Sequence, residues 1–224
     1  MPGPLPPFLF QHGWHIGENN EWAKHTAMTR ANRAPLLFGV PGGQGQVIAN
    51  SYAEFVDIMP TVSELALGRA AGGLPPCATP AMSRAASNCT EGASLAGVVR
   101  ARAPRGQRQR AAAVPPKAKQ AAFGQWPMRI EGESRMGYNI YTMHGGSSVR
   151  YTEWVKYSKS GETHGPVWPA PSEPVINELY NHTADPDENV NVANDTALAS
   201  VVAALSAQLR AGWRALPTTR YGGD

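Results

Sequence analysis

The sequence lacks any apolar run that approaches the ~20 residues needed to cross a bilayer, so no membrane-spanning helix is expected. Its N-terminus also lacks the charged-then-apolar pattern of a secretory signal peptide. A hydrophobic share of 42% is nevertheless sufficient for a core, and 20 prolines and 23 glycines indicate many turns and loops. With 224 residues, the chain is long enough for one domain or a domain and a half.

Acidic residues are missing from positions 92–130, whereas seven positive charges lie within residues 100–119. The net charge of +3 would become −4 without these seven charges. Alanine, proline and glutamine separate them, which is typical of a loop or a disordered segment. A basic arm for nucleic acid is the functional alternative. Because no aromatic residue interleaves these charges and no nucleic-acid fold signature accompanies them, we favour a solvated insertion and expect no nucleic-acid partner.

The most informative stretch begins at His12 and ends at Pro41. It combines a glycine-containing turn with histidines, tryptophans, carboxylates and a lysine, and it runs directly into an apolar segment. Side chains of these kinds converge where an anion or a metal ion is held, and an apolar strand behind them would provide rigid support. The alternative is a surface loop with packing tryptophans and incidental histidines.

This stretch resembles the formylglycine-dependent sulfatase family in order and spacing. The matching elements are His12-Gly13-Trp14, Gly17-Glu18, Glu-Trp-Ala-Lys at residues 21–24, the apolar residues 35–38 and Val-Pro-Gly at residues 40–42. In that family an Asp-His pair helps to hold a calcium ion, and the lysine contacts the sulfate of the substrate. The resemblance implies that His12 is a metal ligand and that Lys24 is a catalytic and substrate-binding residue. It also implies that the pocket near the sugar is lined by Trp14, Trp22 and His25.

The sequence departs from the family just before this stretch. Gln11 stands at the position of the metal-binding aspartate, and its amide offers only a neutral carbonyl to a hard dication, so calcium binding is expected to be weak or absent. Four prolines within residues 2–7 exclude a central strand there. We interpret residues 1–11 as a non-homologous, proline-rich start. A translated intron that ends in a splice acceptor and a genuine proline-rich tail are the two hypotheses for it.

The resemblance continues to about residue 67, and residues 12–67 are predicted to be the C-terminal part of a sulfatase catalytic domain. Apolar residues at spacings of three and four predict a helix with one apolar face, formed by Phe55, Ile58, Met59, Val62 and Leu65. Pro60 would open a second helix in its first turn, where its missing N–H costs nothing. Sulfatases have a similar Asp-Ile-Met-Pro-Thr helix after the metal loop.

Residues 68–119 are predicted to be loop-rich, basic and of low complexity, and they contain both cysteines. Related sulfatases carry similar Pro-Pro-x-Cys and Cys-x-Glu-Gly elements whose cysteines pair. The resemblance thus implies a Cys77–Cys89 disulfide, with two reduced thiols as the alternative. A disulfide needs an oxidising compartment. Three Asn-x-Ser/Thr glycosylation acceptors fit secretory passage, at Asn88, Asn181 and Asn194.

Residues 120–217 are predicted to form an antiparallel-sheet subdomain with a terminal helix, followed by a tail at residues 218–224. Strands are predicted at residues 121–127, 136–142, 149–157 and 177–181, with a hairpin connection at residues 145–148. Large residues alternate on both faces of residues 150–157, so one face is expected to meet another layer. An apolar helical face predicts a helix over residues 197–216 that Pro217 ends, with Val201, Leu205, Leu209, Trp213 and Leu216 on that face.

This last part resembles the sulfatase C-terminal subdomain, which braces one side of the substrate cleft. The landmarks are Met136-Gly137-Tyr138, Tyr-Thr-Glu-Trp at residues 151–154, and the run from Glu178 to Asn191. Three acidic residues in that run, Asp185, Asp187 and Glu188, could form a cation loop. An acidic turn that caps the sheet is favoured, because no liganding glycine-bent loop follows.

The predicted fold class is α/β, of a truncated alkaline-phosphatase/sulfatase-like type, with a remnant of the central sheet and a small C-terminal antiparallel sheet with a terminal helix. The resemblance implies the C-terminal portion of a sulfuric ester hydrolase. When complete, such an enzyme would hydrolyse sulfate esters of a sulfated uronic acid or glycosaminoglycan with one calcium ion, in a lysosomal or secreted location.

Neither cysteine lies in the Cys-x-Pro-x-Arg motif that supplies the sulfatase nucleophile. We therefore expect this chain to be inactive alone. The alternative is a non-catalytic sulfatase remnant that binds sulfated glycans through Lys24 and the tryptophans. The sequence predicts no oligomeric state.

Overall fold

The computed structural model describes residues 8–9, 12–39, 52–67, 74–85, 88–100, 119–156, 168 and 175–215. The chain divides into two compact units that alternate along the sequence. The first unit comprises Met1–Leu9, Pro35–Gln120 and Pro217–Asp224, and the second comprises Phe10–Ala34 and Ala121–Leu216. Gln11, Val40-Pro41-Gly42 and the basic residues 101–118 lie outside the described residues. The five-part division of the sequence stays a prediction.

The second unit contains a four-stranded antiparallel sheet. Its strands are β5 (Ala121–Ile130), β6 (Glu133–His144), β7 (Ser147–Lys156) and β8 (Ile176–Asn181), and they lie side by side in this order. The predicted strands are thereby confirmed, although Tyr157 lies outside the described residues. The predicted hairpin connection at residues 145–148 is confirmed in place but is shorter, because Ser147 and Ser148 belong to β7. Two-residue turns at 131–132 and 145–146 join the first three strands, and all four turn residues have positive φ angles between 51° and 82°. Such turns match the twist of the strands that they connect, and they favour glycine.

The terminal helix is shorter than the sequence predicts. A 3-10 turn at Thr196–Leu198 leads into α5 (Ala199–Ala211), and a second 3-10 turn follows at Trp213–Ala215. The helix ends at Gly212, whose φ of 76° is unfavourable for other residues. The prediction that one helix runs to Pro217 is therefore wrong. Trp213 matches the apolar period, yet it lies beyond the break and remains 48% exposed.

Both faces of the sheet are covered within the second unit. On one face, Ile140, Tyr151 and Leu179 lie opposite one another in register and pack with Leu205 and Leu209 of α5 in the main hydrophobic core. On the other face, the Tyr141 hydroxyl donates a hydrogen bond of 3.2 Å to the Ala27 carbonyl. The expected second layer is confirmed, and the segment that covers the other face comes from residues 12–34. All side chains from residue 149 to residue 155 are consequently buried.

The first unit is built from short elements. Strands β1 (Phe8–Leu9) and β4 (Leu36–Leu37) pair antiparallel. β4 lies within the apolar residues 35–38, whereas β1 lies within residues 1–11, which were interpreted as a non-homologous start. A 3-10 turn at Phe55–Asp57 leads into α2 (Ile58–Leu67), and two further helices are α3 (Pro80–Ala85) and α4 (Ala96–Arg100). Cys77 and Cys89 form a disulfide, as the resemblance implied. Among the described residues, every helix is too short or too polar to span a membrane.

The helix predicted after residue 52 is confirmed, with Pro60 in its first turn, but its predicted apolar face is wrong. Phe55 and Met59 are 47% and 66% exposed, whereas the buried residues of this region are Asp57, Pro60, Thr61 and Glu64. The Asp57 carboxylate accepts hydrogen bonds from the Ala93 N–H and the Lys119 ammonium, each at 2.8 Å. These buried polar contacts turn the polar side of the helix inward, because a buried carboxylate needs such partners.

Candidate functional site

A short hairpin carries the residues that the sequence analysis singled out. Strands β2 (His15–Ile16) and β3 (Trp22–Ala23) pair antiparallel, with Ile16 opposite Trp22. The connecting turn contains Gly17, Asn19 and Asn20 with φ angles of 125°, 56° and 57°. Glycine and asparagine tolerate such angles better than other residues, so the local sequence favours this turn. The Glu18 carboxylate accepts a hydrogen bond of 2.8 Å from the Ile16 N–H and thereby stabilises the turn.

Gly13 fixes the chain that enters the hairpin. Its N–H donates a hydrogen bond of 2.8 Å to the carbonyl of Ala31 in α1 (Thr29–Asn32). A Cβ atom at this position would lie 1.8 Å from the Arg30 carbonyl oxygen. Only glycine therefore allows this close backbone approach, and the positions of His12 and Trp14 on either side depend on it.

The two tryptophans of the hairpin region are exposed rather than buried in packing. Trp14 is 55% exposed and Trp22 is 70% exposed. The Lys24 ammonium lies 5.4 Å from the centroid of the Trp14 ring, which is a cation–π distance. Lys24 forms no salt bridge with any residue in the part of the chain that the structure describes. The exposed Trp14 ring therefore lies beside an ammonium group that no described carboxylate neutralises.

His25, the residue after Lys24, is also exposed, and it contacts a residue that the sequence analysis missed. The rings of His25 and Trp126 have centroids 5.8 Å apart and a tilt of 56°. Trp126 lies on β5 opposite Gly137, and the Trp154 ring packs over Gly137, where a Cβ would approach it to 2.7 Å. The sequence predicted the strand at residues 121–127. It did not predict the contact of Trp126 with His25, because about 100 residues separate the two along the chain.

The predicted metal ligands do not assemble a calcium site from the described residues. His12 is exposed, and its predicted companion Gln11 lies outside the described residues. No group of three or more histidine, cysteine, aspartate or glutamate side chains that could hold a metal occurs in the described ranges. Calcium takes about six to eight oxygen ligands, which one imidazole cannot supply. The described residues therefore do not fit a calcium ion, and the ligand role of His12 stays a prediction.

His15 is buried and was not predicted to have a role. Its Nδ1 lies 3.2 Å from the Glu18 carbonyl, whereas its Nε2 has no hydrogen-bond partner among the described residues. Because it is 0% exposed, His15 packs beneath the hairpin and does not form part of its exposed surface.

The acidic residues near the C-terminus form a turn whose carboxylates bind protein donors. Asp185 accepts the Val190 N–H at 2.9 Å, and Asp187 pairs with Arg30 at 2.7 Å. Glu188, which is 3% exposed, accepts two hydrogen bonds from Arg150, at 2.7 and 3.1 Å. These contacts support the acidic turn and leave the cation loop without support. We call residues 185–188 the acidic turn.

Glu188 also binds the segment that follows the hairpin. Its carboxylate accepts the Thr29 N–H at 2.9 Å and the Thr29 hydroxyl at 2.5 Å, and His182 Nε2 lies 2.7 Å away. Burial by itself raises the pKa of Glu188. The hydrogen bonds from His182, Arg150 and Thr29 and the charge of Arg150 outweigh burial and lower this pKa to about 2.

This lowered pKa predicts how the stability of the second unit depends on pH. Because the pKa of Glu188 falls from 4.5 to about 2 on folding, its stabilisation is complete above pH 4.5 and is lost as the pH falls from 4.5 to about 2. The expected loss is about 3 kcal/mol over this range, of which about 2 kcal/mol falls between pH 6 and pH 3. Urea unfolding at pH 6, 4 and 3 measures this part. In Glu188→Gln this contribution should be absent, so stability should fall by about 2 kcal/mol less than in the wild type, and parallel pH curves for the two proteins would contradict this role of Glu188.

The remaining predicted residues lie away from the hairpin in sequence. Both cysteines of the chain are in the disulfide, so neither is a free thiol. Two of the predicted glycosylation acceptors, Asn88 and Asn194, are exposed. Asn181 is half-buried at the end of β8, where its side-chain oxygen accepts the Thr183 N–H at 3.0 Å. Glycosylation at these positions stays a prediction.

Comparisons with known proteins identify relatives of this chain. No protein-family model matches the sequence. Iduronate 2-sulfatase of Mus musculus is 28% identical in an alignment of 231 positions that covers 84% of this chain and 38% of that protein. Iduronate 2-sulfatase of Homo sapiens is 49% identical over 35 residues, which cover 16% of this chain and 6% of that protein. The chain thus spans 38% of the length of the mouse relative.

Solved structures share the fold. A Bacteroides thetaiotaomicron structure assigned to the sulfatases has a TM-score of 0.56 and 20% identity, covering 91% of this chain and 34% of that one. A structure solved in complex with its substrate D-glucosamine-2-N,6-O-disulfate has a TM-score of 0.57 and 17% identity, covering 95% of this chain and 35% of that one. The predicted fold class is confirmed by this likeness, together with the antiparallel sheet and its C-terminal helix. The chain is therefore homologous to a portion of iduronate 2-sulfatase, and its fold is that of the matching third, 34–35%, of the solved sulfatase structures.

Proposed function

We propose that this chain binds sulfated sugars at the surface formed by Trp14, Trp22, Lys24 and His25, which we call the hairpin surface. The observation that carries the proposal is the Lys24 ammonium beside the exposed Trp14 ring, with no described carboxylate to neutralise it. An ammonium group binds a sulfate oxygen by charge-assisted hydrogen bonds. An exposed indole offers a flat apolar face to a sugar ring at a low entropic cost.

The individual roles follow from the surroundings of each side chain. Lys24 binds the sulfate group, and the Trp14 ring beneath it contacts the sugar ring. Trp22 would extend the apolar surface, and the Trp126 ring contacts the imidazole of His25. In a complete enzyme of this family, Lys24 would also be a catalytic residue, because its charge would stabilise the negative charge that builds up on the sulfate oxygens as the nucleophile attacks sulfur and the sugar oxygen leaves.

The substrate class that we propose is a sulfated uronic acid or another sulfated glycosaminoglycan unit. Two relatives support it. One is named for a sulfate of iduronate, and one was solved with a sulfated glucosamine as its substrate. The family location would be lysosomal or secreted, which is compatible with the disulfide.

We propose that the complete protein hydrolyses sulfate esters and that the residues of this chain alone bind without hydrolysis. Hydrolysis in this family needs a formylglycine made from the cysteine of a Cys-x-Pro-x-Arg motif. Cys77 and Cys89 lie outside such a motif, and both are in the disulfide. Calcium would supply further charge stabilisation in the family, but the described residues do not fit it, and we derive no step through it.

The test of this proposal is the affinity of the purified chain for a 2-O-sulfated dermatan tetrasaccharide, measured by isothermal titration calorimetry. Lys24→Ala should raise the dissociation constant by about tenfold or more, because a hydrogen bond to a charged group contributes about 1.5–3 kcal/mol. Lys156→Ala is the matched control, since it removes the same charge from an exposed lysine at the end of β7. Its affinity should equal that of the wild type.

Two results would contradict the proposal. One is an equal loss of affinity in both variants, which would indicate unspecific attraction of a polyanion. The other is the absence of any binding by the wild type at moderate salt. A desulfated tetrasaccharide serves as the ligand control and should bind the wild type as weakly as the sulfated sugar binds Lys24→Ala.

A further inference from the structure

The segment that carries Lys24 and His25 is fastened at both ends to the same turn. Asn19, five residues before Lys24, donates its side-chain amide to the carbonyls of Asp187 and Glu188 at 3.0 and 3.3 Å. Thr29, five residues after Lys24, donates its N–H and its hydroxyl to the Glu188 carboxylate at 2.9 and 2.5 Å. The acidic turn thereby holds both anchor points of residues 20–28.

The acidic turn is itself fixed to the sheet. Arg150 of β7, which is 0% exposed, binds the Glu188 carboxylate through two of its nitrogens. Asp185 accepts hydrogen bonds from the Asn189 amide and the Val190 N–H at 3.0 and 2.9 Å. Glu188 has a φ of 57°, an angle that a non-glycine residue keeps only where its surroundings fix it. The turn therefore links the hairpin segment to a rigid strand.

We propose that the acidic turn is the positioning element of the sugar site, with Glu188 holding the segment that presents Lys24 and His25. This inference rests on the proposed sugar-binding function and deepens it. Glu188 does not touch the sugar. It acts by keeping residues 20–28 in one conformation before the sugar arrives, so that binding does not have to order them.

The chemistry of the anchor explains why a carboxylate is needed at position 188. One carboxylate offers about four lone-pair sites. Here it accepts from the Arg150 guanidinium and from both donors of Thr29 at the same time. A glutamine side chain has only one acceptor oxygen, and its amide nitrogen would face the donors of Arg150 or Thr29. The substitution Glu188→Gln should therefore release Thr29 without changing the size of the side chain.

The test compares two loosening variants with a matched control. Thr29→Val is the milder one, because it removes the hydroxyl donor and keeps the backbone N–H, the shape and the Glu188–Arg150 ion pair. Glu188→Gln removes the carboxylate. Glu153→Gln is the control, since Glu153 is also 0% exposed on β7, but it pairs with Arg210 at 2.9 Å on the face that meets α5.

Amide hydrogen exchange and sugar affinity are the two readouts. In Thr29→Val and Glu188→Gln, amides of residues 20–28 should exchange at least about tenfold faster, and the dissociation constant for the 2-O-sulfated dermatan tetrasaccharide should rise about three- to tenfold. In Glu153→Gln, exchange should increase in α5 and β7, while residues 20–28 and the dissociation constant stay at wild-type values.

The outcomes separate the positioning role from a general effect on stability. Unchanged exchange in residues 20–28, or faster exchange with an unchanged dissociation constant, would overturn the positioning role alone. A loss of affinity in Glu153→Gln equal to that in Thr29→Val would also overturn it. If the wild type fails to bind the sugar, the proposed function falls, and the positioning role falls with it.

Discussion

Arg150→Met is expected to lower the free energy of unfolding of the sheet in the second unit by about 3–5 kcal/mol. Arg150 is 0% exposed and pairs with Glu188 at 2.7 Å and Glu178 at 3.1 Å, and its guanidinium also lies 4.7 Å from the centroid of the Tyr180 ring. Although burial opposes the charged form, the nearby Tyr141 and Glu188 raise the pKa of Arg150, so it stays charged at any practical pH. Methionine would leave the buried Glu188 carboxylate without its cation.

Native-state hydrogen exchange of the β6 and β7 amides measures this loss for the sheet itself. Lys156→Met is the control, because Lys156 pairs with Glu133 at an exposed edge and its side chain is 74% exposed. Exposed pairs contribute little, so this control should leave the exchange of the same amides unchanged. A loss below about 1 kcal/mol in Arg150→Met would contradict the importance of this ion pair.

Gly13→Ala is expected to have the largest effect on the hairpin surface. The added Cβ would lie 1.8 Å from the Arg30 carbonyl oxygen and 2.9 Å from the Arg33 carbonyl oxygen, and neither backbone atom can move aside like a flexible side chain. The chain at residue 13 must shift, which breaks its hydrogen bond to Ala31 and displaces Trp14 from Lys24. We expect a loss of about 1–3 kcal/mol or more in the stability of the hairpin region, together with a loss of sugar binding.

Gly132→Ala provides the contrast for this substitution. Gly132 has a φ of 82°, but no atom lies within 4 Å of a Cβ at this position. Its cost should be about 1 kcal/mol from the backbone angle alone, without an effect on sugar affinity. The comparison uses thermal unfolding and calorimetric titration of both variants. Equal sugar affinity in Gly13→Ala and the wild type would show that the approach of Gly13 to Arg30 does not organise the surface.

The sequence was most informative where structure depends on neighbouring residues. The four long strands followed from the pattern of β-forming residues and glycines, and the turn at residues 145–146 needs the positive φ angles that glycine allows. The disulfide came from the resemblance to sulfatases. The end of α5 had a local signal in Gly212, but the apolar period through Trp213 favoured a longer helix. The positive φ angle of Gly212 ends the helix although the apolar period continues.

The sequence pattern could not predict the long-range polar contacts. The buried side of α2 and of the 3-10 turn before it carries polar residues, and Asp57 of that turn binds Ala93 and Lys119, which are far away in sequence. Glu188 was expected only as part of an acidic turn, yet it binds Thr29 across 159 positions. Periodicity reports which side chains are apolar, and it carries no information about which buried polar groups will find partners.

In the candidate site, too, the individual residues could be predicted but their long-range contacts could not. The resemblance singled out Lys24, Trp14, Trp22 and His25, and the structure places Lys24 over Trp14 at the surface. The metal half of the prediction rests on His12 and Gln11, and it stays a prediction. Trp126 could not be found from the sequence, because its contact with His25 joins the hairpin region to the sheet.

The most direct test of the proposed function is a nuclear magnetic resonance titration of the full chain with the 2-O-sulfated dermatan tetrasaccharide. The indole N–H signals of the six tryptophans and the amide signals of residues 12–34 report where the sugar binds. We predict shifts at Trp14, Trp22 and the amides around Lys24, and no shift at Trp213, which lies just beyond α5. Shifts confined to the basic residues 100–119, or no shifts in residues 12–34 at millimolar sugar, would contradict the assignment of the hairpin surface as a sulfated-sugar site.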